Sequence, residues 1–283
     1  MITHEEQARV FEKAYVPEHI IGLMTSISKG EPFLIEDYLG FVRDNWLIFV
    51  GYPFETEFSL HACERILEKV IASYRPQYLW FLGPEAPAPL LNFCQARQSD
   101  QYYSLALEHT NPKPSLRRLA DKASKEVSIE RGHSISKEHQ ELIKELLERE
   151  NLPPSVHELY RAIPDWISQS PSTWTLDARN KSGHLCAFFV VELGAKNFSA
   201  YVLGSHSKRH YVSHASDLLF LEMINLSLEH GRKTINLGLG VNRGIRRFKE
   251  KWGGVPFLNY EFCECVYETT RTIPLIMAIE GKL

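Results

Sequence analysis

The strongest constraint on this chain lies between residues 172 and 266, where strand-like runs, one long apolar helix and further strands follow each other in a set order. Ser172 to Ala178 alternates loosely between apolar and polar residues, and Asn180-Lys181-Ser182-Gly183 is a turn sequence with Gly183 suited to positive φ. His184 to Leu193 and Phe198 to Gly204 are two more strand-like runs, joined by Gly194-Ala195-Lys196-Asn197. Three strands linked so closely predict an antiparallel meander. A helix from Asp217 to Glu229 follows, with Ser216 as its expected cap. Apolar residues cover most of its faces, which predicts deep burial, and His230-Gly231 ends it. Thr234 to Gly238 reads as a strand, Ile245 to Trp252 as a short basic helix closed by Gly253-Gly254, and Pro256 to Val266 as a final strand. A meander followed by strand, helix and strand predicts an α/β (α+β) sheet covered by helices.

The first part of the chain repeats this order in outline. Trp46 to Pro53 is an apolar strand ended by Gly51 and Pro53. Phe58 to Tyr74 carries apolar residues at spacings of three and four, with Ser59 placed to cap it. Gln77 to Pro84 and Tyr102 to Leu107 read as strands. At about 150 residues per domain, 283 residues suggest about two domains. The polar, proline-bearing segment Glu108 to Pro114 places the boundary, giving units 1–113 and 114–283. Beyond it, Ser115 is expected to cap a basic helix that includes Arg117, Arg118 and Lys122. Ser136 to Arg149 is a strong helix with Ser136 as N-cap, and Ser155 to Ile163 a shorter one.

Composition excludes several classes. Hydrophobic residues make up 44% of the chain, with 15 Phe, 12 Tyr and 5 Trp, which is enough for sizeable cores and argues against disorder. The formal charge of -3 argues against a generally basic nucleic-acid coat protein. Five scattered cysteines, an odd number, make no disulfide framework. Cys263 and Cys265 would share one strand face as plain buried thiols. The polar, acidic N-terminus does not resemble a secretory leader, and no apolar run is long enough to span a bilayer. These features fit a cytoplasmic protein with no metal site.

Three segments carry a family resemblance: Ser213 to Ile224, His230 to Gly238, and Gly244 to Gly254 with its Phe248-Lys249-Glu250-Lys251-Trp252-Gly253 run. Their order resembles the acyl-transfer domain of FemAB-like proteins within the GNAT (GCN5-related N-acetyltransferase) superfamily. The likeness covers roughly residues 115–265, and the run Ser115 to Lys125 looks like the basic helix that opens this domain in relatives. The resemblance implies tandem GNAT-like units, each a mixed, mostly antiparallel sheet flanked by helices. The second unit is the better defined and the first a degenerate copy. It also implies an N-acyltransferase: an acyl or aminoacyl group passes from acyl-CoA, an acyl-carrier protein or aminoacyl-tRNA onto an amine-bearing acceptor. A coenzyme A thioester, such as acetyl-CoA, would then be a transient donor rather than a resident cofactor. The alternative is a non-catalytic protein of the same fold that binds an anionic ligand or partner.

Transfer of this kind needs proximity, a base for the amine and a donor group for the carbonyl oxygen as it charges. In the superfamily the loop entering the long helix cradles a pyrophosphate with backbone N–H groups. Here that loop offers Lys208 and Arg209 for phosphate charge and Ser213 and Ser216 as hydrogen-bond donors. Its glycine positions are taken by Val212 and His214, a departure that counts against ordinary coenzyme A binding. Gly238 and Gly240, with Asn236 and Asn242, open the end of a strand to a donor or acceptor. Arg246 and Lys249 belong to a helix whose five basic residues face a single acid, an arrangement an anionic partner would offset. Tyr201, His206 and Asn236 are the expected catalytic positions. The base itself stays open among His206, His210, His214, Tyr201 and Asp217. The histidines at intervals of four would share a face only if the loop were helical.

Overall fold

The computed structural model describes residues 2–108, 112–150, 160, 163–164 and 166–267. The chain begins with α1 (His4–Lys13), where Thr3 and Glu6 form a capping box. A 3-10 turn at Pro17–His19 and α2 (Ile21–Ser28) follow. Next come β1 (Glu31–Ile35), β2 (Tyr38–Arg43), β3 (Trp46–Val50), α3 (Leu60–Tyr74), β4 (Tyr78–Gly83), α4 (Ala88–Leu91) and β5 (Cys94–Ala106). The second part contains α5 (Pro114–Ala123), β6 (Val127–Gly132), α6 (Lys137–Glu150), β7 (Thr173–Asn180), β8 (Leu185–Glu192), β9 (Phe198–His206), α7 (Ala215–Glu229), β10 (Thr234–Leu239), α8 (Arg243–Lys251) and β11 (Val255–Val266). The helix expected over 155–163 falls almost wholly outside the described residues.

All of these strands join one sheet in the order β1-β2-β3-β4-β11-β5-β10-β9-β8-β7-β6. Only β3/β4 and β9/β10 pair in parallel; the other pairs are antiparallel. Each parallel pair is the strand–helix–strand step that follows a meander, so the same unit occurs twice. The halves interlock at the middle. β11, the last strand, lies between β4 and β5, and β5 in turn pairs with β10.

Helices cover both faces. α5 packs along α7, and the core beneath α7 and α8 holds Leu219, Met223, Phe189, Leu237 and Trp252. On the opposite face, α2 and α6 close over Phe188, Val190 and Ala200. β8 is buried on both sides over its full length, which explains its unbroken apolar run. In the first half, α3 packs on Leu47, Phe49, Leu79 and Phe81, and Cys263 and Cys265 point into that same core.

Two expected caps are corrected. α5 starts on Pro114, whose fixed φ suits the first helical position, so Ser115 lies inside the helix and Lys113 precedes it. α7 is preceded by His214 in the left-handed region (φ 66), and Ser216 lies inside the first turn. The His214 imidazole reaches Asp217 (Nδ1 to Oδ2, 3.0 Å), and this contact holds the unusual backbone.

Candidate functional site

β9 and β10 run side by side only for their first three residues. Phe198, Ser199 and Ala200 face Thr234, Ile235 and Asn236, and there the pairing stops. Two irregularities turn the strands apart. β9 skips Val202 in its register with β8, and β10 breaks its register with β5 between Asn236 and Leu239. Gly238 sits in that break at φ 74, a conformation open to glycine. The Asn236 side chain holds the kink. Its Oδ1 accepts from the Gly238 N–H at 2.9 Å, and its Nδ2 donates to the Tyr15 carbonyl at 3.4 Å. A wedge therefore opens between the strand ends, with backbone for its walls.

The equivalent pair in the first half is closed. β3 and β4 match residue for residue from Trp46/Tyr78 to Val50/Leu82, and the Gly51 N–H continues the ladder to the Leu82 carbonyl at 2.6 Å. The Phe81 ring fills the end, so close that a Cβ on Gly51 or Gly83 would lie 2.8 or 2.6 Å from it.

α8 delivers a cation to the open wedge. Asn242 caps the helix by accepting from the Ile245 N–H at 3.0 Å. Phe248 and Trp252 anchor its inner face on Phe220, with ring centroids 5.6 and 4.8 Å away. Trp252 Nε1 donates to Asp217 Oδ1 at 3.0 Å, and Lys251 pairs with the same oxygen. This anchoring turns Lys249 inward. It is 4% exposed, and its Nζ donates to the Leu239 carbonyl at 2.5 Å. Nζ also lies 5.8 Å over the Tyr103 ring and 3.9 Å from where a Cβ on Gly238 would stand. Burial pulls its pKa down to about 8, with Asp100 opposing. Its hydrogen bond goes to a neutral carbonyl rather than to a carboxylate.

Asp100 fixes the turn after β10. Its Oδ2 accepts from the Val241 N–H at 2.7 Å, and Arg246 Nη2 lies 3.6 Å from its Oδ1. A Cβ on Gly240 would come within 2.8 Å of Asp100 Oδ1 and crowd the carboxylate that fixes this turn. Arg243 and Arg247 remain exposed beside it.

The loop entering α7 is arranged differently from a phosphate cradle. Lys208, Arg209 and Ser213 are exposed and Ser216 is half-buried. The buried Asp217 carboxylate already lies in the first turn of α7, held by His214, Lys251 and Trp252. The three histidines diverge: His206 faces Tyr211, His210 stacks on His184 at 4.2 Å, and His214 joins Asp217. Tyr201 lies at the root of the wedge, edge-on to Phe189 at 4.9 Å, and burial pushes its phenol pKa up. Tyr201, Asn236, Gly238 and Lys249 thus come together. Gly240, Asn242 and Arg246 form the adjoining turn, whereas His206, Lys208, Arg209 and Ser213 line the separate loop.

The sequence reading missed two acids because they lie in the half without motifs. Asp100 is one and Glu18 is the other. Glu18 Oε1 accepts from the Tyr102 hydroxyl at 2.7 Å, while the buried Oε2 has no hydrogen-bond partner. Burial raises its pKa. Tyr102 is the cross-strand neighbour of Leu239, whose carbonyl receives Lys249, so one tyrosine links the carboxyl to the strand that receives the ammonium. No group of three or more metal-ligating side chains occurs among the described residues, and no described helix is long and apolar enough to cross a membrane.

No family model matches the chain. No curated protein matches it either. Solved structures do. FemX aligns over 99% of this chain and 99% of its own, at 12% identity and a TM-score of 0.59. L-PGS from Bacillus licheniformis aligns over 96% and 98%, at 15% identity and 0.55. A tandem GNAT protein from the clavulanic acid biosynthesis pathway aligns over 92% and 91%, at 11% identity and 0.54. With the twice-repeated unit, these likenesses give the chain a FemAB-like fold of two GNAT-type units.

Proposed function

We propose that the protein transfers an acyl or aminoacyl group from an activated ester or thioester onto an amine, with the reactive carbonyl seated in the wedge between β9 and β10. The observation that carries this is the contrast between the two halves: the same strand pair is zipped shut in one and splayed beside a buried lysine in the other. The wedge holds donor and acceptor together, which supplies much of the rate without a covalent intermediate. Lys249 stabilises the oxygen of the tetrahedral intermediate. Glu18, linked to β10 through Tyr102, takes the proton of the attacking amine.

The donor we infer is carried on a larger anionic molecule, a tRNA or an acyl-carrier protein, rather than on free coenzyme A. The Asp217 carboxylate, itself paired with Lys251, already complements the positive end of α7 and leaves less of that field for a pyrophosphate. The exposed Arg243 and Arg247 instead offer charge outside the wedge. Calorimetric titration tests the choice. Charged tRNA or acyl-carrier protein is expected to bind at low salt and weaken as salt rises. Micromolar binding of acetyl-CoA would return the donor to free coenzyme A. Binding of carriers with no transfer to any amine would support the non-catalytic reading.

A further inference from the structure

A second constellation lies two strands away from the wedge, where α6 begins over β7. Ser136 precedes the first turn of α6, His139 lies inside it and Asp177 is on β7. Ser136 Oγ is 2.8 Å from His139 Nδ1, and His139 Nε2 is 2.9 Å from Asp177 Oδ1. The proton positions follow from a third bond. The Ser136 backbone N–H donates to His139 Nδ1 at 3.1 Å, so Nδ1 is an acceptor. The serine hydroxyl must then donate to that nitrogen, and Nε2 carries the proton that goes to Asp177. A serine whose hydroxyl points at a neutral imidazole, itself oriented by an acid, is the arrangement of an activated nucleophile.

Its surroundings support the role. His139 is 2% exposed and edge-on to Phe188 at 4.8 Å, so the imidazole is fixed. Arg179 Nη2 lies 3.8 Å from Asp177 Oδ2, and its Nη1 is bound to Glu138 at 2.7 Å. That cation lies by the carboxylate oxygen opposite the one that meets the ring. Ser136, by contrast, is exposed and reachable. Ser136 directly precedes the first turn of α6, whose N–H groups have no partner within the helix.

We propose that Ser136, His139 and Asp177 form a nucleophilic triad that hydrolyses small activated esters, an activity separate from transfer in the wedge. Oγ attacks the ester carbon as its proton moves to Nδ1, and a new Oγ–C bond forms. The intermediate collapses with loss of the alkoxide, which takes the proton from Nδ1. Water, deprotonated in turn by Nδ1, then releases the acid and restores Ser136.

A fluorophosphonate probe tests this on the whole protein. It forms a phosphonylated serine with loss of fluoride. The expected result is one adduct per chain by intact mass, mapped to Ser136 by peptide sequencing. It should be accompanied by hydrolysis of p-nitrophenyl acetate that falls at least 100-fold in Ser136→Ala. Lys249→Met should label like the wild type. Because Ser136 is exposed, Ser136→Ala leaves the buried contacts in place, and mapping on the wild type depends on no variant. An unlabelled wild-type protein, or an adduct elsewhere, would overturn the proposal and leave Ser136 and His139 as a helix cap.

Discussion

Lys249→Met separates the two demands placed on that residue. The wild-type ammonium is 4% exposed, and burial brings its pKa from 10.5 to about 8. Between these values the unfolded chain binds more protons than the folded one, so stability rises with pH through that window. Below it the full difference applies, a penalty of about 3.4 kcal/mol on the folded state. Methionine removes the charge and keeps an unbranched apolar stem, but it strands the Leu239 carbonyl, which costs about 1 kcal/mol. The variant should therefore be about 2 kcal/mol more stable at neutral pH. Near pH 9.5 the wild-type penalty shrinks to about 1.4 kcal/mol, so the advantage falls close to zero. Urea unfolding at the two pH values, with unchanged m-values, measures both numbers. Transfer should meanwhile drop by about 10²–10³. A variant that is less stable at neutral pH, or a stability difference that ignores pH, would refute the reasoning.

Other expectations follow from single contacts. Gly238→Ala has room for its Cβ, 3.6 Å from the Tyr201 carbonyl, but not the right backbone; it should lose about 1–2 kcal/mol in urea melts and slow transfer. Gly83→Ala drives a methyl into the Phe81 ring and should lose about 1–3 kcal/mol in the same melts, with the transfer rate unchanged because that half is shut. Asp217→Ala takes the shared acceptor from Lys251 and Trp252 and should lose about 3 kcal/mol. Glu18→Gln should melt higher than wild type at neutral pH and lose that advantage below pH 4.5: the folded carboxyl holds its proton more tightly, so wild-type stability falls as pH rises past the ordinary value. The same variant should slow transfer.

The meander, the long helix and the basic helix of the second half are legible in the sequence because each buries a face whose spacing the residues display. β8 and α7 are the clearest cases. The start of α7 is not legible. A left-handed histidine is selected by Asp217, itself held by Lys251 and Trp252 on another helix. α1 left a readable signal in Thr3-x-x-Glu6, yet its short polar helix displays only one buried residue, Val10. The wedge is half legible. Glycines at 238 and 240 mark its strand, but the acids beside it do not, since Asp100 reaches Val241 across 141 residues and Glu18 meets Tyr102 across 84. Lys249 reads as one of five bases offered to an anionic partner, and its burial is not legible. Only the packing of Phe248 and Trp252 turns it inward.

The place of β11 sets a schedule for biosynthesis. β4 is complete when residue 83 has been made, yet the edge it presents waits for a strand that ends at Val266. β5 waits with it, since β11 is its neighbour on one side and β10 on the other. The earlier half therefore cannot finish folding while the later half is still being translated, and Leu79 and Phe81 flank an unpaired edge throughout. Contacts of such long sequence separation slow folding, because loop-closure entropy must be met before they form. The two repeated units, alike in outline, reach the native state as one late cooperative event rather than one after the other.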